Sequence, residues 1–352
     1  MSCASSAPAS APPRVSVLLP ARNAAATLDE ALAGLRAQTL TDWECLIVDD
    51  GSTDETPAIA RAWAARDGRI RLLPSPARRG IVAALRAAAA RARAAVFARQ
   101  DADDISRPRR LAASLALLES DASLGAVACR VRLFPGDALG EGLRVYGDWL
   151  NEAVTPEQIA GEIWVESPLP HPAVVMRREA YTGCGGYRHG PWPEDYDLWL
   201  RLHRAGWRFA KVPEVLYDWR HRPGRLTFSD PRYAPEAFLR CKLEHLEPRL
   251  RGRALVVWGA GRDGRRLARA LAARGVETAA FIDIDPRKVG RERLGRPVHP
   301  PEALGDSGCL GRGALPEALV LVAVGSRGAR ALIRERLAGL GRGEPADFLC
   351  LH

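Results

Sequence analysis

Ala94-Ala95-Val96-Phe97-Ala98-Arg99-Gln100-Asp101-Ala102-Asp103-Asp104 decides the architecture of this chain, because a short apolar run passes directly into a cluster of acids. The run predicts a buried strand, so the acids fall where that strand opens into a loop. Sites in parallel α/β sheets gather at such strand ends. Alternation along an extended backbone points Asp101 and Asp103 to the same side. Two hard carboxylate oxygens there suit Mg²⁺ or Mn²⁺, with the remaining positions left to phosphate oxygens and water. The competing reading is a solvated acidic loop, with Asp104 or Ser106 capping a helix that begins near Pro108.

Working outward, residues 15–19 read as a buried strand ending in Pro20-Ala21-Arg22-Asn23, and Leu28, Ala31, Leu32 and Leu35 recur at helical spacing. A second strand, 45–48, closes on Asp49-Asp50-Gly51-Ser52-Thr53-Asp54, with a helix over about 56–65. Residues 70–73 supply a third strand and 80–92 a third helix. Repeated strand-helix units predict an α/β fold with a parallel, doubly wound sheet whose loops share one edge. On this evidence Asp49, Asp50 and Ser52 read equally well as a turn held by side-chain-to-backbone bonds.

Bulk properties narrow the classes. With 352 residues, 47% apolar and 26% charged, the chain has material for two cored domains. No apolar run approaches the roughly 18–20 residues needed to cross a bilayer, and residues 1–13, mostly Ser, Ala and Pro, read as a mobile tail without a leader pattern. A cytoplasmic location is expected, with the inner membrane face open as a site of peripheral association. The seven cysteines carry no Cys-x-x-Cys pair, which argues against a disulfide framework or a zinc site. The net charge of +9 suits an anionic small molecule or membrane face; no interleaving of aromatic and basic residues points to nucleic acid.

Residues 15–23, Val48-Asp49-Asp50-Gly51-Ser52, Arg79-Gly80-Ile81-Val82-Ala83-Ala84-Leu85 and Asp101-Ala102-Asp103-Asp104, in this order and spacing, resemble the family 2 glycosyltransferases of GT-A fold. The likeness continues through His171-Pro172, Gly185-Gly186-Tyr187 and Glu194-Asp195-Tyr196-Asp197-Leu198-Trp199-Leu200-Arg201 to about residue 227. It implies a mixed sheet, a nucleoside-diphosphate sugar donor and a divalent cation. By the same resemblance Asp50 would meet the base, Pro20, Ala21, Arg22 and Asn23 would line the nucleotide pocket, Asp101 and Asp103 would bind metal and diphosphate, and Asp195 would be the catalytic base. Arg79 and Arg220 are candidates for the donor and His221 for a third metal ligand, while His171 and Glu194 are candidate acceptor contacts. The family often has Asn where Arg86 stands. Each residue also has a plain reading: Arg79 as a surface cation, His171 as a hydrogen-bonded structural residue, and Asp195 as a carboxylate at a helix N-terminus. Tyr146, Trp149 and Trp164, in the poorly patterned stretch 136–167, read as a sugar or lipid surface or as core.

Beyond a composition shift near Glu247-Pro248-Arg249, a second fingerprint appears. Residues 254–258 form a strand entering Gly259-Ala260-Gly261-Arg262-Asp263-Gly264, then a helix, then a strand ending at Asp283-Ile284-Asp285. Strand, glycine turn, helix and an acid about 20 residues on predict a Rossmann-like unit, in which Gly259, Gly261, Gly264 and Asp283 would meet a nucleotide or NAD(P). The expected division is therefore a tail at 1–13, a GT-A domain at 14–247 and a Rossmann-like domain at 253–352. The expected activity is inverting, metal-dependent transfer from a nucleotide sugar, a UDP-sugar first, to a hydroxyl of a glycan or lipid-linked acceptor. A nucleotidyltransferase and a non-catalytic sugar-nucleotide sensor are the alternatives.

Overall fold

A computed structural model of the chain describes residues 11–73, 78–222, 224–305 and 317–352. Most of the expected tail, residues 74–77, Cys3 and Cys309 lie outside them. The chain resolves into two compact units. The first holds the residues up to Pro156 with Leu169–His189 and Leu202–Arg225; the second holds Glu157–Pro168, Gly190–Arg201 and Leu226–His352. The units are thus discontinuous in sequence, whereas the composition shift divides the chain once, near residue 250.

In chain order the first stretch forms β1 (Val15–Ala21), α1 (Leu28–Arg36), β2 (Trp43–Asp49), α2 (Thr56–Arg66), β3 (Ile70–Leu73), α3 (Ile81–Arg91), β4 (Val96–Arg99), β5 (Ile105–Ser106) and α4 (Arg110–Ser120). There follow β6 (Leu124–Phe134), α5 (Glu141–Glu152), α6 (Pro156–Glu162), β7 (Val175–Arg177), α7 (Arg178–Gly183), α8 (Glu194–Arg204), β8 (Arg208–Arg220), α9 (Leu226–Ser229) and α10 (Pro235–Leu250). The first sheet has the order β3-β2-β1-β4-β7-β6-β8-β5. Strands β3, β2, β1 and β4 are parallel, β7 is antiparallel to β4, and β6 runs parallel to β8. A mixed sheet results, as the resemblance implied.

Burial explains the parallel half. Val15, Val17 and Leu19 on β1 pack with Cys45 and Ile47 on β2, and with Leu28, Leu32 and Leu35, the inward stripe of α1. Each such fully buried aliphatic side chain contributes about 1.5–3 kcal/mol relative to exposure. One charge enters this layer: Glu44, almost wholly buried, accepts from Ser16 Oγ (2.7 Å) and the Arg93 N–H (2.7 Å) and pairs with Arg71 and Arg93. Helix α5 was not legible as such, and its Leu150, with Tyr146 and Trp149 beside it, packs on Cys129, Val131 and Tyr217. Trp164 is buried as well, so the core reading holds for these aromatics.

The second unit carries β9 (Leu255–Trp258), α11 (Arg262–Ala272), β10 (Ala280–Ile282), β11 (Glu292–Arg293), β12 (Arg296–His299), β13 (Leu319–Val322), α12 (Ala329–Gly339) and β14 (Phe348–Cys350). Its sheet has the order β11-β12-β10-β9-β13-β14, parallel throughout except for β11. The β11–β12 hairpin and β14 have too few residues to announce themselves by periodicity.

Candidate active site

The C-terminal ends of β1, β2 and β4 converge, and specific bonds tie their loops together. Asp50 N–H donates to Ala21 O (2.8 Å), continuing the β1–β2 ladder one step past the strand. Asn23, at φ +47°, donates from its backbone to Ser52 Oγ (2.9 Å) and accepts at Oδ1 from Thr53 N–H (2.9 Å). Ser52 hydroxyl in turn bonds Asp49, so the turn reading describes Asp49 and Ser52. Asp50 does something else. Buried at the loop base, it accepts from the backbone N–H groups of Arg79 (2.7 Å) and Gly80 (3.0 and 3.1 Å), thirty residues downstream. Gly80 sits at φ +82°, a backbone state that a Cβ disfavours, and starts α3 there. Arg22 and Arg79 present exposed side chains beside this framework.

The acidic cluster follows β4. Asp101 and Asp103 are partly open while Ala102 and Asp104 are buried, which is the alternation the sequence implied. Neither Asp104 nor Ser106 caps a helix: α4 starts at Arg110 behind Arg109, with no side-chain cap bond. Instead a buried polar frame holds the loop. Gln100 Nε2 donates to the carbonyls of Asp101 and Asp104 (both 2.9 Å), and Arg110 donates to Gln100 Oε1 (3.0 Å) and Ser106 Oγ (2.6 Å). Arg99 pairs with Asp101 Oδ1 (2.6 Å), Arg222 pairs with Asp103 Oδ2 (2.8 Å), and Tyr217 hydroxyl donates to Asp104 (3.1 Å). Arg220 N–H also donates to Asp104 (2.7 Å), its Nε reaches the carbonyl of Asp103 (2.7 Å), and its guanidinium pairs with Glu30.

Oxygens of Asp101, Asp103 and Asp104 all lie within 4.8 Å of one another. Burial, followed by repulsion from Asp101 and Asp103, holds the Asp104 carboxyl well above the ordinary carboxylate range. A divalent cation would relieve that repulsion, and three carboxylates are the hard oxygen donors such an ion takes, so the residues fit Mg²⁺ or Mn²⁺. Asp104 is thus the third acid of the cluster, whereas His221 closes β8 through its backbone N–H to Phe134 O (2.7 Å) and is not among the converging ligand atoms. His171 Nε2 lies 2.8 Å from Tyr187 hydroxyl, and burial, then the Arg99 charge, keep the imidazole neutral at pH 7.

In the second unit, Asp195 occupies the first turn of α8, with its Oδ1 accepting from Tyr196 N–H (2.8 Å). It is half-buried, enclosed yet with part of its surface open. Burial first, and the neighbouring Glu194 charge second, push its carboxyl up to about 8. Glu194 is itself buried and accepts from Tyr233 hydroxyl (2.7 Å). Asp197 bonds Arg201 (2.7 Å) and His245 (3.0 Å) and serves the interior.

Arg99, Gln100, Arg110, Tyr217 and Arg222 were not singled out in the sequence. Arg99 and Gln100 were signalled only as polar residues ending an apolar run that meet near neighbours in sequence, as Arg110 does, whereas Tyr217 and Arg222 reach partners more than a hundred residues away, invisible to local pattern.

Comparison with known proteins agrees with this architecture. The model of Glycosyl transferase family 2 matches residues 16–183. EpsE of Bacillus subtilis (strain 168) is 34% identical over 210 residues, covering 58% of this chain and 72% of EpsE. The amylovoran biosynthesis glycosyltransferase AmsE of Erwinia amylovora is 30% identical over 190 residues, covering 54% and 68%. In fold, the chain is similar to the mannosyltransferase PcManGT from Pyrobaculum calidifontis in complex with GDP-Man and Mn²⁺ (TM-score 0.53, 24% identity, 69% of this chain and 65% of that one). It is also similar to S. aureus TarS 1–349 in complex with UDP-GlcNAc (TM-score 0.56, 17% identity, 73% and 71%). A mixed α/β sheet with carboxylates at its parallel strand ends defines the class as a GT-A-like transferase fold. The chain belongs to glycosyltransferase family 2.

Proposed function

We propose that this protein is an inverting, metal-dependent glycosyltransferase that moves a sugar from a nucleoside diphosphate, UDP first, to a hydroxyl of a glycan or lipid-linked precursor in polysaccharide assembly. The observation that carries the reading is the convergence of Asp101, Asp103 and Asp104 at the end of β4. Support comes from AmsE, named for amylovoran biosynthesis, and from the nucleotide sugars held by PcManGT and TarS.

In this reading Asp101, Asp103 and Asp104 hold Mg²⁺ or Mn²⁺, which when bound offsets charge on the departing diphosphate. Asp50 orders the 78–80 segment against the base, and residues 20–23 form the floor of the nucleotide site. Asp195 accepts the proton of the acceptor hydroxyl while that oxygen bonds the anomeric carbon and the bond to the diphosphate oxygen breaks on the opposite face. A carboxyl raised to about 8 is a stronger base than an ordinary aspartate, at the cost of a smaller ionised fraction at neutral pH.

The test is release of UDP from a panel of UDP-sugars with and without Mn²⁺, with pyrophosphate followed in parallel. Metal-dependent UDP release that requires an acceptor supports the proposal. Pyrophosphate release from a nucleoside triphosphate and a sugar phosphate, or donor binding without turnover, sinks it in favour of the nucleotidyltransferase or sensor alternatives.

A further inference from the structure

The glycine turn of the second unit has no part in the proposed transfer, yet a cavity of about 850 Å³ opens beside it. We propose that this cavity is a second nucleotide site, separate from the donor site, which takes a ribonucleoside 5′-diphosphate group with free ribose hydroxyls.

Position comes first. The cavity opens at the C-terminal ends of β9, β10 and β13, between Gly259 and Gly261, Asp283 and Asp285, and Val324. Strand β9, the first of this unit, lies between β10 and β13, so the chain departs to opposite sides of it. At such a switch point the two connections diverge and leave a crevice. Volumes of roughly 300–1,000 Å³ are those of small-molecule sites.

The glycines have separable reasons. A Cβ on Gly264 would lie 1.7 Å from Gly259 O, so that glycine seats α11 against the turn. Gly259, at φ +112°, meets Ala323 O at 2.8 Å from a built Cβ. Gly261 differs: its φ of −82° is open to any residue, and a Cβ there meets nothing within 4 Å. The space it leaves is cavity, in front of the first turn of α11, where backbone N–H groups favour a phosphate.

The walls suit the rest of a nucleotide. Asp283 accepts from Ala260 N–H (2.9 Å) and Asp285 N–H (2.9 Å) and pairs with Lys288 (3.0 Å), which fixes the acid against the glycine turn. With Asp285, it offers acceptors to ribose hydroxyls and repels a 2′-phosphate. Among the described residues the large apolar side chains left most open include Ile284 (77%) and Leu332 (67%), and both line this cavity. Two apolar surfaces flanking the mouth suit the faces of a base. No described histidine, tyrosine or cysteine lines it.

The experiment titrates the full chain with NAD⁺, NADP⁺, ADP and UDP in EDTA, which withholds the metal of the proposed donor site, using calorimetry and intrinsic fluorescence, to which Trp258 at the cavity wall contributes. NAD⁺, ADP or UDP should saturate with Kd on the order of 10–100 μM, and NADP⁺ should bind at least about tenfold more weakly than NAD⁺ if NAD⁺ is the ligand. Gly261→Val, whose Cβ meets no atom within 4 Å, should leave the ligand-free Tm unchanged and weaken binding about tenfold or more. Ile284→Glu, at an exposed position, should weaken it as well, while Asp101→Asn should have no effect. Failure of all three ligands to saturate by about 1 mM, equal binding of NADP⁺, full binding by both cavity variants, or loss of binding in Asp101→Asn each overturns the proposal. The outcome does not depend on whether the glycosyl transfer reading survives.

Discussion

Replacing Asp195 by Asn separates catalysis from stability, because one carboxylate is proposed to serve the first while opposing the second. Its carboxyl stands at about 8 against 3.8 for the free group. The sign follows from that elevation. Between pH 3.8 and 8 the unfolded chain gives up the proton and the folded chain keeps it, so stability attributable to this site declines as pH rises through the window. One pKa unit is worth about 1.4 kcal/mol, and if a third of the displacement survives solvent relaxation the penalty near pH 8 is on the order of 2 kcal/mol. Asparagine carries no charge to desolvate and can keep the bond to Tyr196 N–H. Asp195→Asn should therefore raise Tm at pH 8 by roughly 4–8 °C, with the gain shrinking toward pH 4. UDP release should fall by about 10²- to 10⁴-fold, the range of one general base. In the wild type, kcat should rise with pH through the range in which the raised Asp195 carboxyl ionises and level off above that range. Calorimetry and a nucleotide-release assay on the same preparations give both readouts. Near wild-type turnover in the Asn variant would refute the base assignment, and a lowered Tm at pH 8 would refute the electrostatic argument.

Asp101→Asn with Asp103→Asn should abolish Mn²⁺-stimulated turnover by at least about 100-fold while a Mn²⁺ titration followed by Tm loses its upward shift; an intact shift would place the ion elsewhere. Glu44 is held below the ordinary carboxylate range: burial works against its charge, but the bonds from Ser16 and Arg93 outweigh it. Its contribution is present above about pH 4.5 and lost as pH falls through the lower folded value, so Glu44→Gln should cost about 1–3 kcal/mol by urea unfolding at pH 7, with the cost shrinking as pH falls through that value. Asp50→Ala leaves the Arg79 and Gly80 N–H groups without their acceptor and should cost about 1–3 kcal/mol together with a weaker donor Kd, measured by urea titration and calorimetry. Gly264→Ala drives a methyl into Gly259 O and should lower the urea midpoint by more than Gly261→Ala does; equal midpoints would contradict the packing reason given for that glycine.

Much of the scaffold was legible because it is written in local periodicity. The strand at 70–73 and the inward stripe of α1 came out as the spacing of apolar residues specifies, and Asp101 and Asp103 share the more open side of their loop because side chains on an extended backbone alternate. The glycine turn after β9 was readable for a similar reason, since a fixed spacing of glycines encodes a turn that few other residues permit. What the tertiary structure alone decided are pairings between distant residues. Asp50 with Gly80, Tyr217 with Asp104 and Arg222 with Asp103 are each separated by about thirty to more than a hundred residues. So is the grouping of 157–168 and 190–201 with the C-terminal sheet. The antiparallel direction of β7, the third acid of the cluster and the elevated Asp195 carboxyl belong to the same class. Strand direction depends on how a connection folds back, and a carboxyl's affinity for its proton depends on which groups replace water around it, so neither is fixed until the chain has closed on itself.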